Sequence, residues 1–328
     1  MIAIPHQLDP ASLAEPGLGD TRRTLEGETM GTTWSAQFYA PASAPDAGFR
    51  LRIERELDRI DRQMSHWRPD SDLTLFNRAG AGQWRQLPEE FFFVLENSLR
   101  LAAGSGGAFD PALGDAADLW GFGPSGKRTR PASPAAGAPS GIWRSIALDP
   151  ERRRARQPGG ACLDLSSIAK GFAVDHLARC LEEEGARSCL VEIGGELRGS
   201  GVKEDRMPWW VSIEPPPGYA GEIRIALSGL AIATSGNYRR YFDYEGARYS
   251  HTLDPATRSP VVAPAPSVTV LHESCMEADA WSTALLVLGP VRGLALCEDR
   301  NLAAVFLVRE KSSWRTLPSS AFQRMVEE

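Results

Sequence analysis

The chain has 328 residues, 42% of them hydrophobic and 24% charged, with a formal net charge of −6. This is the composition of a soluble globular protein with ample material for a sizeable core. It excludes the basic footprint of a nucleic-acid binder, and no stretch is read as apolar and long enough to cross a membrane.

Met1 to Asp20 shows no basic start, apolar run or small-residue cleavage site, and no Cys precedes Cys162. The expected location is therefore the cytoplasm. Residues 1 to 24 carry Pro, Asp and Gly without periodicity and predict a flexible arm, with the main domain spanning 25–328. Thr33 to Tyr39 alternates polar and apolar side chains, as a strand does. From Phe49 to His66 the residues Ile53, Leu57, Ile60 and Met64 fall at helical spacing. Pro88 opens a second helix that Gly104 ends. Residues 121–141, rich in Gly, Pro, Ser and Ala, mark a loop and a subdomain boundary. A strand is expected at Ala161–Asp164, running straight into a helix from Ser167 to Glu184 that Gly185 stops. Further strands are expected at 189–193, 209–213, 222–227, 230–234, 267–271 and 302–308, with a hairpin at 239–252 around Glu245-Gly246. Helices interspersed with many strands predict a mixed α/β (α+β) fold.

The five cysteines, Cys162, Cys180, Cys189, Cys275 and Cys297, are odd in number and form no C-x-x-C pair, against a disulfide framework or a thiolate zinc site. His6, His66, His176 and His272 show no paired metal-ligand spacing. Neither a P-loop nor a dinucleotide fingerprint occurs.

Four segments have the makings of a site. In Met276–Gly289, Asp279 and Thr283 stand four residues apart, on one face of a helix. Two oxygen donors there suit a hard cation such as magnesium. The same spacing suits a core helix in which Asp279 complements the helix dipole and Thr283 bonds back to a carbonyl. In Leu163–Gly171 a helix start favours anions, and Lys170 sits against the dipole, as if to meet a phosphate; the alternative is a serine cap with a solvated lysine. Gly107–Pro111 allows close backbone approach and holds Asp110 extended, or is a plain turn. Ser250–Pro255 offers His251, to bind or move a proton or to serve as a hydrogen-bonded structural residue.

Taken together and in order, the segments resemble the FAD:protein FMN transferases of the ApbE type. The matching pieces are Met30-Gly31-Thr32; Asp61 through Met64-Ser65 and Trp67, with Asp70 to Leu73 and Phe76-Asn77; Gly107 to Pro111; Asp164 to Gly171; Val191 to Glu196; Thr234-Ser235-Gly236; His251 to Pro255; and Glu277 to Thr283. The resemblance implies a T-fold-like architecture of antiparallel-rich sheets flanked by helices. It implies magnesium-dependent transfer of FMN from FAD to a Ser or Thr of an acceptor flavoprotein, with release of AMP. Asp279 and Thr283 would bind the metal through side chains, Ser167 and Ser282 through backbone oxygens. Met30, Trp67, Ala108, Phe109, Asp110, Asp164, Lys170 and Leu253 match FAD-contact positions, and either His251 or Asp164 would be the base. Two other classes stay open: an FAD pyrophosphatase, in which water takes the place of the acceptor, and a non-catalytic flavin-binding protein. Relatives that hydrolyse FAD tend to carry a small polar residue where Trp67 stands.

Overall fold

The computed structural model describes residues 1–5, 10–132, 140–261, 267–311 and 313–326. Its frame is an eight-stranded sheet: β1 (Asp20–Thr29), β2 (Thr32–Pro41), β3 (Cys189–Ile193), β4 (Glu196–Ser200), β5 (Leu230–Gly236), β6 (Ser267–His272), β7 (Ala303–Glu310) and β8 (Ser313–Pro318). Each strand pairs antiparallel with the one before it, so order in the sheet follows order in the chain. The connections carry the rest of the fold. Between β2 and β3 lie α1 (Asp46–Met64), α2 (Asp72–Asn77), α3 (Glu89–Gly104), α4 (Gly114–Leu119) and α5 (Ala169–Glu183). Between β6 and β7 lies α6 (Cys275–Arg300), and α7 (Ser320–Gln323) follows β8.

Both faces of the sheet are covered. Trp34, Phe38, Val191, Val270 and Phe306 pack in one core with apolar residues of α1, α3, α5 and α6. Tyr39, Leu190, Leu271 and Leu307 pack in another with Trp209, Ile225 and Phe322. In β7 the side chains alternate between the two: Ala304, Phe306 and Val308 join the helix-side core, while Ala303, Val305 and Leu307 join the other. A strand buried on both faces reads as a continuous apolar run rather than an alternating one, which is why 302–308 is legible as a strand. The expected architecture, an antiparallel-rich sheet flanked by helices, is the observed one.

Several local expectations differ from the structure. The N-terminal residues are not loose throughout. Ile2 and Ala3 pair in parallel with Arg224 and Ile225, and Ala3 is fully buried in the second core. Strand β1 already starts at Asp20, paired with Pro41. Ala161–Asp164 is not a strand; Cys162 makes an isolated bridge to Leu113, and Leu163 bonds to a side chain. Residues 6–9 of the arm, His6 included, and 133–139 of the 121–141 loop lie outside the described residues.

Helix α6 qualifies the expectation about membrane spans: at 26 residues it is long and apolar enough to cross a membrane by length and composition alone. Its setting is that of a core helix. The backbone breaks at Gly289 (φ 70°, ψ 174°) before Pro290, and Asp279 and Ser282 on it are buried among the other elements.

Candidate active site

The site is organised by the approach of α5 to α6. At Gly171 a side-chain Cβ would lie 2.3 Å from the Cys275 carbonyl oxygen and 2.8 Å from the Met276 Cα, so only glycine lets the two backbones come this close. The start of α6 is held from α5 by Asp175. Its carboxylate accepts hydrogen bonds from the Ser274 hydroxyl (2.8 Å) and from the amides of Cys275 (2.9 Å) and Met276 (3.0 Å). An anion at a helix N-terminus satisfies free amides and meets the positive end of the dipole.

One turn further along α6, Asp279 is buried, and its Oδ2 accepts the Gly171 amide at 3.1 Å. Lys170 reaches the same oxygen at 3.6 Å and Glu196, at the start of β4, at 2.8 Å. Neither sequence reading of Lys170 foresaw this partly buried ion triad. Burial alone would favour the neutral amine, but the Asp279 and Glu196 carboxylates outweigh it and hold the ammonium firmly charged. Burial also raises both carboxyls, opposed by Lys170, and that of Glu196 is pushed up to about 7.

Beside Asp279 lies a cluster of hydroxyls. Ser235 on β5 is 2.7 Å from the Ser282 Oγ and 3.0 Å from the Thr283 Oγ1. The Ser282 hydroxyl donates to the Asp279 carbonyl at 2.8 Å, and that of Thr283 does so at 3.5 Å. Thr283 thus makes the back-bond of an ordinary helix and also faces a group of hard oxygen donors. Ser167 stands half-buried before α5, where Ile168 occupies the N-cap position and no side chain caps the helix.

Asp164 is fixed by its neighbours. The Asn77 side chain accepts the Leu163 amide (2.7 Å) and donates to the Leu163 carbonyl (2.9 Å), while the Asp164 amide donates to the Pro111 carbonyl at 2.8 Å. That last bond ties Asp164 to Gly107–Pro111, where Ala108 and Phe109 are buried and Asp110 Oδ1 accepts the Ala112 amide at 2.8 Å. Burial raises the Asp110 carboxyl above the usual range. Asp164 Oδ1 accepts the Ser166 amide at 2.9 Å and stands 3.3 Å from His66 Nδ1. Burial opposes its ionisation, yet the His66 charge and hydrogen bond, with Ser166, hold it well below the usual carboxylate range. Next to His66 the Trp67 ring lies 5.2 Å away, centroid to centroid, and is 52% exposed. Trp67 is therefore not a core aromatic.

His251 follows the hairpin of residues 241–250. Its Nδ1 is 3.1 Å from the Arg240 carbonyl, and its ring meets the edge of Phe122. A carbonyl only accepts, so Nδ1 carries the proton and the Nε2 lone pair is left open. Burial, and then the Arg240 charge, push the imidazole down to about 4; Lys170 and Asp164 act on it as well, in opposite senses. Leu253 packs with Ala116, Ala117 and Trp120.

Met30 stands apart from these groups, at the β1–β2 turn with Gly31. Both have positive φ (48° and 71°), as a tight hairpin requires, and a methionine rarely adopts that conformation. Met30 borders a cavity of about 240 Å³ with Glu54, Asp58 and Asp61. A larger cavity of about 380 Å³ is lined by Thr32, Glu192, Gly194, Gly195, Thr234 and Arg239. It brings the Val191–Glu196 and Thr234–Gly236 segments to one wall beside the hairpin.

Glu56, His176 and Cys180 place potential ligand atoms within 4.8 Å of one another between α1 and α5. Arg52, Arg55 and Arg59 pair with Glu56, and Arg179 lies 2.9 Å from His176 Nδ1. Guanidinium groups on these ligands make the cluster an ion-pair lattice between helices.

Three contributors escaped sequence reasoning: Asp175, Ser235 as a partner of Thr283, and His66 as the partner of Asp164. Ser235 lay inside a quoted motif. Asp175 and His66 carried no signal, because their partners lie far along the chain.

With this geometry in hand, comparison with known proteins gives a consistent result. The family model described as "ApbE family" matches residues 30–306. An "FAD:protein FMN transferase" of Klebsiella pneumoniae is 34% identical over 92% of this chain and 89% of its own length. One of the same name from Haemophilus influenzae is 35% identical over 93% and 91%. Among solved structures, the apo form of Pseudomonas stutzeri flavinyl transferase ApbE matches with a TM-score of 0.86 at 38% identity, covering 93% of this chain and 97% of its own. The flavin transferase ApbE of Vibrio cholerae matches with a TM-score of 0.81 at 31% identity, covering 94% of this chain and 100% of its own.

Proposed function

The chain belongs to the ApbE family, and on that premise we propose that it is an FAD:protein FMN transferase, moving FMN from FAD to a Ser or Thr hydroxyl of an acceptor flavoprotein with release of AMP and magnesium as cofactor. The observation that carries this reading is that one partly buried junction holds the Asp279 carboxylate with Lys170 and, one turn along the same helix, the Thr283 hydroxyl with those of Ser235 and Ser282. A non-catalytic flavin binder would keep the flavin contacts without the metal donors, and Asp279 and Thr283 are both present. The donors are all hard oxygens: the Asp279 carboxylate, the Thr283 hydroxyl and, by family position, backbone oxygens of Ser167 and Ser282. That set fits magnesium. When bound, the ion neutralises charge developing on the phosphates.

The protein's own part is positioning and proton handling. Met30, Trp67, Ala108, Phe109, Asp110, Asp164, Lys170 and Leu253 are the proposed FAD contacts, and the Lys170 ammonium faces phosphate charge. The acceptor hydroxyl attacks the phosphorus next to riboflavin, the bond to the AMP phosphate breaks, and the hydroxyl proton passes to a base. Sequence left the base open between Asp164 and His251. An Asp164 held strongly ionised by His66 and Ser166 is a poor proton acceptor. His251, neutral and with its Nε2 lone pair open, is the better one.

The working form of His251 is the neutral imidazole, so a lowered pKa widens the active range toward acid. The acid limb of kcat/KM, which reports the free protein, is expected near pH 4. His251→Ala is expected to lose most transfer activity. Because the Glu196 carboxyl is itself pushed up to about 7, a limb near the ordinary histidine value of about 6.5 counts against this environment for His251 only if it persists in Glu196→Gln.

Trp67 supports transfer over hydrolysis. Both reactions use the same phosphates and differ in which hydroxyl arrives, and a large ring over the site hinders water. Because Trp67 is half exposed, Trp67→Asn is expected to fold normally, to bind FAD and to raise the ratio of free FMN to acceptor-bound FMN several-fold. An unchanged ratio counts against shielding. The proposed activity itself is tested by incubating the protein with FAD and an acceptor flavoprotein, with magnesium or with chelator, and separating nucleotides by chromatography. AMP formed only with both magnesium and acceptor supports it; no AMP with acceptor and magnesium present refutes it.

A further inference from the structure

We propose that His66 is a positioning residue for this chain's reaction: it holds the Asp164 carboxylate in place for FAD, a role that rests on the transferase reading above. Three observations converge on it. The ring stands with Nδ1 at 3.3 Å from Asp164 Oδ1, the oxygen that also accepts the Ser166 amide at 2.9 Å. Both contacts fall on one oxygen and so restrain the carboxylate. The His66 side chain is only 14% exposed, and its Nε2 is enclosed with no hydrogen-bond partner among the described residues. A solvated or capping histidine would satisfy that nitrogen. Here the ring's polar contact is spent on Asp164. On its other side the ring lies against Trp67. One imidazole therefore sets two of the proposed FAD contacts, Trp67 and Asp164, although they are far apart in sequence.

The electrostatics agree with the geometry. Burial lowers the basicity of His66, but the Asp164 carboxylate more than compensates; Arg240 opposes and Asp118 assists. A hydrogen bond to an ionised carboxylate is among the stronger ones. Asp164 in turn anchors the turn that leads into α5 and Lys170.

The test separates the Nδ1–H from mere bulk. His66→Asn puts an amide N–H close to where Nδ1 lies and keeps the donor to Asp164. His66→Leu keeps volume and loses the donor. Each variant is assayed for AMP release from FAD with magnesium and an acceptor flavoprotein, for KM and kcat separately, and for thermal melting. His66→Asn is expected to stay within about threefold of the parent in KM for FAD, whereas His66→Leu raises that KM about tenfold or more, with kcat changed much less. If His66→Leu melts early, His66→Gln, whose amide reaches only the Nε2 position, takes its place with the same expectation. Equal KM values in both variants, whether unchanged or raised together, would overturn the role assigned to Nδ1. A parent protein that releases no AMP from FAD would overturn the transferase reading as well, whereas a fully active His66→Leu protein would overturn only the His66 assignment.

Discussion

Replacing Asp279 with alanine is expected to lower AMP release from FAD by about a thousandfold while leaving the protein folded. The carboxylate is buried, and it is the one anionic oxygen donor proposed for magnesium on α6. Added magnesium should not rescue the variant, because no neighbouring hydroxyl replaces the lost charge. The fold should tolerate the change. Lys170 keeps Glu196 at 2.8 Å, so removing Asp279 leaves a paired lysine, and the buried triad loses one of its two negative charges. The Gly171 amide loses its acceptor, at a cost of about 1–3 kcal/mol. Activity measured in chelator-treated buffer with magnesium restored, together with a melting curve, gives the answer. Normal turnover in a folded Asp279→Ala protein would remove Asp279 from the metal site.

Gly171→Ala is expected to be the most damaging small substitution in the site. Helix propensity alone predicts a gain, since alanine exceeds glycine by about 1 kcal/mol in a helix interior. Packing predicts the opposite. The new Cβ meets the Cys275 carbonyl oxygen at 2.3 Å and its carbon at 2.6 Å, and neither is the end of a flexible side chain. The helices must part, at about 3 kcal/mol, read as a Tm lowered by roughly 6 °C. Parting them also lengthens the Gly171 amide bond to Asp279 and draws Lys170 off the same carboxylate, so activity should fall with stability. An unchanged or raised Tm would mean that the helices are not held as close as the site requires.

How much of this was legible in the sequence depends on how far apart the interacting residues lie. Strands with alternating or continuous apolar runs, such as Thr33–Tyr39 and Leu302–Val308, announced themselves, because their own side chains report the layers they face. Helix α5 was placed within two residues at its start. By contrast, β1 was missed entirely, because it lies at a sheet edge and only Leu25 on it is buried, so no apolar pattern marks it. Ala161–Asp164 looked like a strand by composition, but the Asn77 side chain takes the backbone bonds of Leu163 that a partner strand would have made. In the site, the spacing of Asp279 and Thr283 was visible because both lie on one helix. Asp175 capping α6, and His66 paired with Asp164, join distant segments and have no local pattern. Lys170 showed only that it opposed the helix dipole; its partners, Glu196 and Asp279, come from other elements.

The central claim is that this chain transfers FMN rather than merely binding or hydrolysing FAD. Intact-mass spectrometry of a candidate acceptor flavoprotein, incubated with the chain, FAD and magnesium, tests it most directly. The expected result is a gain of one FMN less one water on a Ser or Thr, with AMP released in equal amount, and no gain when Asp279→Ala replaces the parent protein. An acceptor that stays unmodified while FAD is converted to free FMN and AMP would contradict transfer and assign the chain to hydrolysis.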